Sequence, residues 1–413
     1  MGAFVEGPAR TGSVRAHNLA LVLRAVAAGG PVSRAEVAAA TGLTRASVSA
    51  LVETLLAGRL LRETGAPTRT GVGRPSTGLE LDPRGPAGLG IELNVDHVAV
   101  CLVDLTGGVR VRLAGRFPAL DTLLGDAVAA GSALGLSPAG AAFAVPGLVD
   151  PATGELLVTP NLDAGGVREA VLGSAALRGV PISVENEATL AARAEQRALG
   201  DAAPRSFLQV SGEVGIGAGL VLDGRLYRGS HGWSGELGHV TVRPGGRPCG
   251  CGSDGCLEQY AGLRAILRAA GGSDGDRSGR SGRSGRSPEA GGGGSPEAGA
   301  GRSPEAGIAA RARAGEPGML GALAEAGEAL GIALAGALNL LDLDAVVLGG
   351  AHAELAPWLV GPIEEQLARR LVGAAVSRPV VRASVLGADA AALGAAWSVL
   401  DRVLDDPGAW LGR

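Results

Sequence analysis

The stretch GELGHVTVRPGGRPCGCGSDGCLEQY, residues 235–260, decides how the rest of the chain is read. It packs Cys249, Cys251 and Cys256, three of only four cysteines in 413 residues, into eight positions, with His239 ten residues ahead of the first. The pattern His-x9-Cys-x-Cys-x4-Cys gathers four soft or borderline donors, the number and type suited to tetrahedral Zn2+. Gly250, Gly252 and Gly255 supply the tight backbone so short a loop requires. Four protein ligands leave no open position for water, so the spacing predicts a structural zinc that staples a loop beside Glu236 and Glu258. In a reducing compartment a metal is also the better reading than a disulfide. The fourth cysteine, Cys101, sits in an apolar stretch and reads as core.

A chain this long, 46% hydrophobic, has material for two or three cores. No run of eighteen uncharged apolar residues occurs and the first residues lack an apolar signal region, so the expectation is a cytoplasmic protein with no membrane partner. Every basic residue is Arg, a compositional bias that makes Arg alone weak evidence of function. The distribution of charge says more. Residues 1–90 hold ten Arg against six acids, and the remainder 27 Arg against 35 acids, a basic head on an acidic body that points to a polyanionic partner for the head.

That head reads as three helices and a ribbon. HNLALVLRAVAAGG, residues 17–30, repeats apolar residues at helical spacing and stops at Gly29 and Gly30. Ser33 and Glu36 form a capping box for a second helix that Gly42 ends. A third helix beginning at Thr44 puts Val48, Leu51, Val52 and Leu55 on one stripe, and LLRET and STGLELDP flank GAPTRTGVGRP as two strands. Three helices with a tight turn before the third, then a two-stranded wing, is the winged helix-turn-helix pattern, predicted here over residues 1–85. Opposite the apolar stripe the third helix offers Ala46 and Ala50 flanked by Ser47 and Ser49, with Arg45 in its first turn. Small residues admit the backbone to a major groove, Arg takes guanine or phosphate, and Arg69 and Arg74 at the wing tip reach the minor groove or the backbone.

From residue 86 to 413 strands and helices alternate, which predicts an α/β architecture of sheets covered by helices. Residues 272–307, built from SGR and SPEAG repeats, hold no apolar residue larger than Ala and read as a disordered insertion.

GHVTVRPGGRPCGCGSDGCLE from Gly238, preceded by RGSHGWSGELGH, resembles the signature of the ROK family, which joins sugar kinases and sugar-responsive repressors. VPGLVD (145–150), TPNLD (159–163), VENEA (184–188) and VVLGGA (346–351) follow in that family's order. The resemblance implies an actin-like (ribonuclease H-like) two-lobed ROK domain, here preceded by the winged helix of the repressor branch. It also implies a sugar site formed by Asn186, Glu187, Glu236, His239 and Glu258, with Asn161 a weaker candidate. Carboxylates and an amide hold adjacent hydroxyls in pairs, and a metal-bound His still offers an edge to the ligand.

Kinases of the family carry Asp-x-Gly-Gly-Thr, where this chain reads IELNVDH with Glu92, Asn94, Val95 and Asp96. Their second phosphate loop reads SGEVGIGAG here, with Glu213 and Val214 in place of small or hydroxylic residues. Phosphates need bare N–H groups at close approach, and a carboxylate beside a triphosphate repels it. Glu187 stands at the kinase base position, one methylene longer than Asp. The expected protein is therefore an ATP-inactive, sugar-responsive repressor that binds operator DNA as a homodimer or higher homo-oligomer, closing around its sugar to change the spacing of its winged helices. An active hexose kinase with a DNA-binding head, or a module that senses another protein, are the competing readings.

Overall fold

A computed structural model describes residues 11–65, 77–94, 97–159, 165, 169, 171, 173–213, 215–271 and 304–412. The chain divides into two compact units: Met1–Arg205, Ala218–Gly235 and Ala388–Arg413 in the first, Ser206–Gly217 and Glu236–Gly387 in the second.

The first unit opens with α1 (Thr11–Gly29), β1 (Val32–Ser33), α2 (Arg34–Thr41), α3 (Arg45–Ala57), β2 (Leu61–Thr64) and β3 (Gly78–Leu81). The capping box forms as predicted: Glu36 N–H donates to Ser33 Oγ at 3.2 Å, and Ser33 N–H donates to Glu36 Oε2 at 2.9 Å. Gly42 ends α2 in the left-handed region at φ 72°. Val48, Leu51, Val52 and Leu55 are buried on the inner stripe of α3. The ribbon is a three-stranded sheet in the order β1-β3-β2, all antiparallel.

There follow β4 (Pro86–Leu93), β5 (Val98–Asp104), β6 (Val109–Gly115), α4 (Leu120–Ala133), β7 (Ser137–Val145), β8 (Leu148–Val149), β9 (Leu156–Val158), β10 (Ile182–Asn186) and α5 (Glu187–Leu199). Five of these strands form a mixed sheet in the order β10-β7-β4-β5-β6, with β4, β7 and β10 mutually parallel. Its apolar core gathers Leu89, Ile91, Val100, Leu102, Leu124 and Phe143.

Shared between the units in sequence are β11 (Phe207–Gly212), β12 (Ile216–Leu222) and β13 (Arg225–Tyr227), with Gly224 at φ 74° in the β12–β13 turn. The second unit continues with α6 (Glu258–Ala261), α7 (Leu263–Ala269), α8 (Pro304–Arg313), α9 (Pro317–Leu341), β14 (Ala345–Gly350), α10 (Ala351–Arg370) and β15 (Val380–Ala383); β11, β14 and β15 pair in parallel. Helix α8 takes in residues 304–307, which the repeat composition placed in the disordered insertion. Pro304 suits a first helical position, and the following turns bury Ile308, Ala309 and Ala312, which anchor it. Helix α9 is long and apolar enough to cross a membrane, but one side is buried against α10 and its Glu325 pairs with Arg243 and Arg247, as in a core helix of a folded domain.

The chain returns to the first unit as α11 (Ala390–Asp405) and α12 (Pro407–Leu411). Helix α11 lies so close to β4 that a Cβ at Gly88 or Gly90 would drive into the Ala396 or Ala392 carbonyl. Helix α12 packs on the winged helix: Trp410 Nε1–H donates to the Gly58 carbonyl at 2.9 Å, Leu411 covers Gly58, and Arg24 pairs with Asp405. The winged helix therefore packs within the first compact unit. These contacts tie the head to the sheet that follows it.

Candidate metal centre and effector residues

Four ligand atoms, one each from His239, Cys249, Cys251 and Cys256, lie within 4.8 Å of one another. Cys251 Sγ and Cys256 Sγ are 3.7 Å apart, as are Cys249 Sγ and His239 Nδ1. A tetrahedral zinc with metal–sulfur bonds near 2.3 Å places its sulfurs about 3.8 Å apart, so the donor set fits this ion in spacing as well as chemistry. The loop is pinned by backbone bonds from Cys249 N–H to Ser253 O at 2.8 Å and from Val242 N–H to Gly255 O at 2.8 Å. At Gly255, φ 66°, a side chain would strike the Arg243 carbonyl. Burial, with its neighbouring thiols adding, pushes Cys256 up to about 12, while the backbone at Ser253 holds Cys251 below the ordinary thiol value. A cation among them would favour the thiolates.

Nδ1 of His239 faces the thiols, leaving Nε2 3.9 Å from Glu236 Oε2. Burial raises the Glu236 carboxyl above its usual range; His239 opposes that and Glu258 reinforces it. Glu258, opening α6, brings its Oε2 against the Gly215 backbone, 2.5 Å from where a Cβ would stand. The second unit thus brings together Glu236, His239 and Glu258, three of the five predicted sugar ligands, beside the candidate metal loop. The other two stand at the β10–α5 junction of the first unit. Asn186 caps α5 by accepting from Thr189 N–H at 3.0 Å and donates through Nδ2 to the Gly147 carbonyl at 3.0 Å, tying α5 to the VPG turn. Glu187 is buried in the first turn of α5. Asn161 lies outside the described residues.

At the first phosphate-loop position, Glu92 is buried at the end of β4 with His97 Nε2 3.7 Å from its Oε1, and Asn94 N–H donates to His97 O at 2.9 Å to close the hairpin. Val95, Asp96 and Val214 lie outside the described residues. At the second, the Glu213 carboxylate fills the space into which a side chain at Gly350 would project, at the entrance of the 20-residue helix α10. That is where exposed N–H groups and the helix dipole favour an anion. Two residues on, His352 is fully buried, its ring against Gly212 and its Nε2–H donating to Ala261 O at 2.9 Å; burial lowers its ordinary value. Sequence reading missed His352, since a lone His opening a helix carries no motif.

On the reading helix Arg45 is exposed at the first turn. Ser47 is exposed, but its hydroxyl sits 2.9 Å from that of the N-cap Thr44, and Ser49 is half-buried at the edge of the face. Arg69 and Arg74 lie outside the described residues.

A model of the ROK family matches residues 88–402, and one of the MarR family matches residues 20–69. The chain is 29% identical to the xylose repressor of Bacillus subtilis (strain 168) over 404 residues, 95% of this chain and 97% of that protein. It is 30% identical to the glucokinase of Streptomyces coelicolor over 315 residues, 75% of this chain and 96% of that enzyme. In structure it is similar to a ROK family transcriptional regulator described as a homolog of the E. coli MLC protein, with a TM-score of 0.70, 24% identity, and coverage of 97% of this chain and 100% of that one. That likeness runs through the winged helix as well as the α/β body.

Proposed function

The chain belongs to the ROK family, with a MarR-type winged helix at its head, and from that premise we propose that it is a cytoplasmic, sugar-responsive transcriptional repressor that does not turn over ATP. The observation that carries the proposal is the Glu213 carboxylate at the mouth of α10. A nucleotide phosphate would have to bring its own negative charge to a place already holding one, at a separation where two charges in a protein site repel by several kcal/mol. Glu92, buried beside His97, adds a second carboxylate where family kinases expose backbone.

In this reading a dimer grips a palindromic operator through Arg45, Ser47 and Ser49 of the reading helix and Arg69 and Arg74 of the wing. The sugar is held by Asn186, Glu187, Glu236, His239 and Glu258, with a structural zinc fixing the last three through their shared loop. Asn186 is a positioning group as much as a ligand, because both ends of its amide already serve the fold. Within the first unit a packed route leads from it to the head: Asn186 caps α5, Arg193 and Arg197 of α5 pair with Asp401 of α11, and α11 runs into the Asp405–Arg24 and Trp410–Gly58 contacts. A sugar that alters the cap biases the head through helices packed too tightly to deform independently.

Xylose is the first sugar to try, from the names of the repressors the chain resembles. The test is operator binding by fluorescence anisotropy, with xylose, glucose and their neutral analogues added in the absence of nucleotide. Release, or tightening, by one sugar without ATP supports the proposal. The similarity to the Streptomyces coelicolor glucokinase favours the second reading, a sugar kinase with an appended head, and sugar phosphate formed from ATP by the purified protein would establish it instead.

A further inference from the structure

A cavity of about 550 Å³ opens in the first unit beside the edge strand β10. Its walls are β10 itself, the 151–154 turn, Thr189 of α5, Arg228 and Gly232 after β13, and Ser398 and Arg402 of α11. Of the five predicted sugar ligands only Asn186 touches it. The volume lies in the range of pockets that enclose small organic ligands.

Its charges do not balance. Arg228 gives both Nε–H and an Nη2–H to Glu185 Oε1, so that pair is self-contained. Arg402, from the other side, is an exposed side chain that, among the described residues, donates to a neutral group, Ser183 Oγ at 2.6 Å. The nearby carboxylates are engaged elsewhere: Glu185, whose charge also reaches Arg402, is bound by Arg228, and Asp401 is held by Arg193 at 2.5 Å and by Arg197 at 3.0 Å. Burial, with Arg193 adding, pulls Arg402 below the ordinary guanidinium value in spite of Glu185 and Asp401. A guanidinium at the wall of a cavity, hydrogen-bonded to no carboxylate among the described residues, keeps four of its five N–H donors for a ligand, in the planar fork that suits a carboxylate or phosphate. Around it stand Ser183, Ser398, Thr189 and Thr153, whose oxygens suit hydroxyl groups on the same ligand.

We propose that this cavity is a second small-molecule site, meeting the proposed neutral-sugar residues only at Asn186, and that it takes a polyhydroxylated organic anion bearing one carboxylate or one phosphate, bound head-on by Arg402. Its position gives binding a readout. Arg402 lies one turn before Asp405, which pairs with Arg24 of α1, so an anion drawing on Arg402 acts on the same helix that holds the winged head.

The test is titration calorimetry on the full-length protein with gluconate, glucose 6-phosphate and inorganic phosphate as probes and glucose as the uncharged comparison. Saturable binding of gluconate or glucose 6-phosphate that Arg402→Gln weakens roughly tenfold or more, and Arg402→Lys weakens less, supports the proposal, because a bidentate charge-assisted contact is lost in the first and reduced to a point charge in the second. Which of the two anions binds tells carboxylate from phosphate. Ser183→Ala, which removes only the hydroxyl that now holds Arg402, is the companion variant and should shift affinity in either direction without unfolding the chain, as checked by circular dichroism. Anion binding that survives Arg402→Gln and Ser183→Ala unchanged overturns the proposal, and so does binding lost with Arg45→Ala, which would put the anion on the DNA-reading face. Absence of saturable binding of all three anions at millimolar concentration overturns it too. Glucose binding indifferent to Arg402→Gln, whatever the anions do, leaves the neutral-sugar reading standing on its own.

Discussion

Removing zinc from the His239–Cys249–Cys251–Cys256 site should cost the second unit stability in an amount that can be estimated. The loop from Thr241 to Cys256 is closed by backbone hydrogen bonds but buries little apolar surface, chiefly Val242, Cys249 and Cys256, so an ion bound by its four donors adds a large share of what holds it folded. A metal that binds only the folded state adds RT ln(1 + [Zn]/Kd), about 4.1 kcal/mol when free zinc exceeds the dissociation constant a thousandfold. For a body of this size each kcal/mol moves the melting temperature by about 2–4 °C, so chelation should lower the melting of that unit by roughly 8–16 °C. Cys251→Ser should reproduce most of the loss without chelator, and Gly255→Ala should do so without touching a ligand, because its Cβ strikes the Arg243 carbonyl. The assay is differential scanning calorimetry with and without a zinc chelator, paired with elemental analysis of the purified chain. Protons compete with the metal for the thiolates, so Kd rises and the stability lost on chelation should shrink as pH falls. Less than stoichiometric zinc, with a transition that neither chelator nor Cys251→Ser moves, would refute the reasoning.

Other outcomes follow from single contacts. Arg45→Ala should lose about 1–3 kcal/mol of operator affinity in anisotropy titrations while leaving the melting curve in place, because Arg45 is exposed on the reading helix. Gly88→Ala should destabilise the first unit by about 1–3 kcal/mol in chemical denaturation, since its Cβ meets the Ala396 carbonyl, whereas Gly125→Ala, open on all sides within α4, should stabilise it by about 0.4–1 kcal/mol. Burial lowers the folded-state value of His352 below its ordinary 6.5, so below that pH the unfolded chain binds a proton the folded one refuses, and stability should drop as pH falls, by at most about 1.4 kcal/mol per pH unit. His352→Gln, which keeps a donor for Ala261 O, should flatten that slope. Glu187→Asp alone should yield no ATP-dependent sugar phosphorylation in a coupled assay, because Glu213 still occupies the mouth of α10.

What could be read from the sequence was what lies close together in it. The capping box of Ser33 and Glu36 spans one turn, the metal donors span eighteen residues, and the departure of Glu213 from the kinase pattern is visible before any fold is known. What could not be read lies far apart. Gly58 reads only as the end of a helix, yet the structure makes it the seat of Trp410, 352 residues later. Arg402 is one Arg among many in a chain whose bias toward Arg hides meaning, and only the pairing of Asp401 with Arg193 and Arg197 shows that Arg402 is the one left facing a cavity. The extent of the repeat insertion was misjudged at its end because composition averages over residues 304–307, while a helix is decided by Pro304 at its start and the buried Ile308 beyond.

The same distance in sequence hides how α11 meets both the sheet and the head. Gly88 and Gly90 let its backbone lie directly on β4, and Gly394 lets it lie on α5, where a Cβ would meet the Leu190 carbonyl. Contacts this close leave little room for one element to shift against another, so the helix, the sheet and α5 should move as one piece. At its far end and through α12 it meets the head by the Asp405–Arg24 ion pair, the Trp410–Gly58 hydrogen bond and Leu411 over Gly58, and the two polar contacts are of a kind that break and re-form at small cost. The coupling between ligand and operator should therefore be set at that end. Trp410→Phe keeps the ring against the head but loses the N–H donated to Gly58, and it should reduce the change in operator affinity on adding sugar while leaving sugar affinity, measured by calorimetry, within about twofold. A full sugar response in that variant, and in one that also carries Arg24→Ala, would mean that the signal reaches the reading helix by another route.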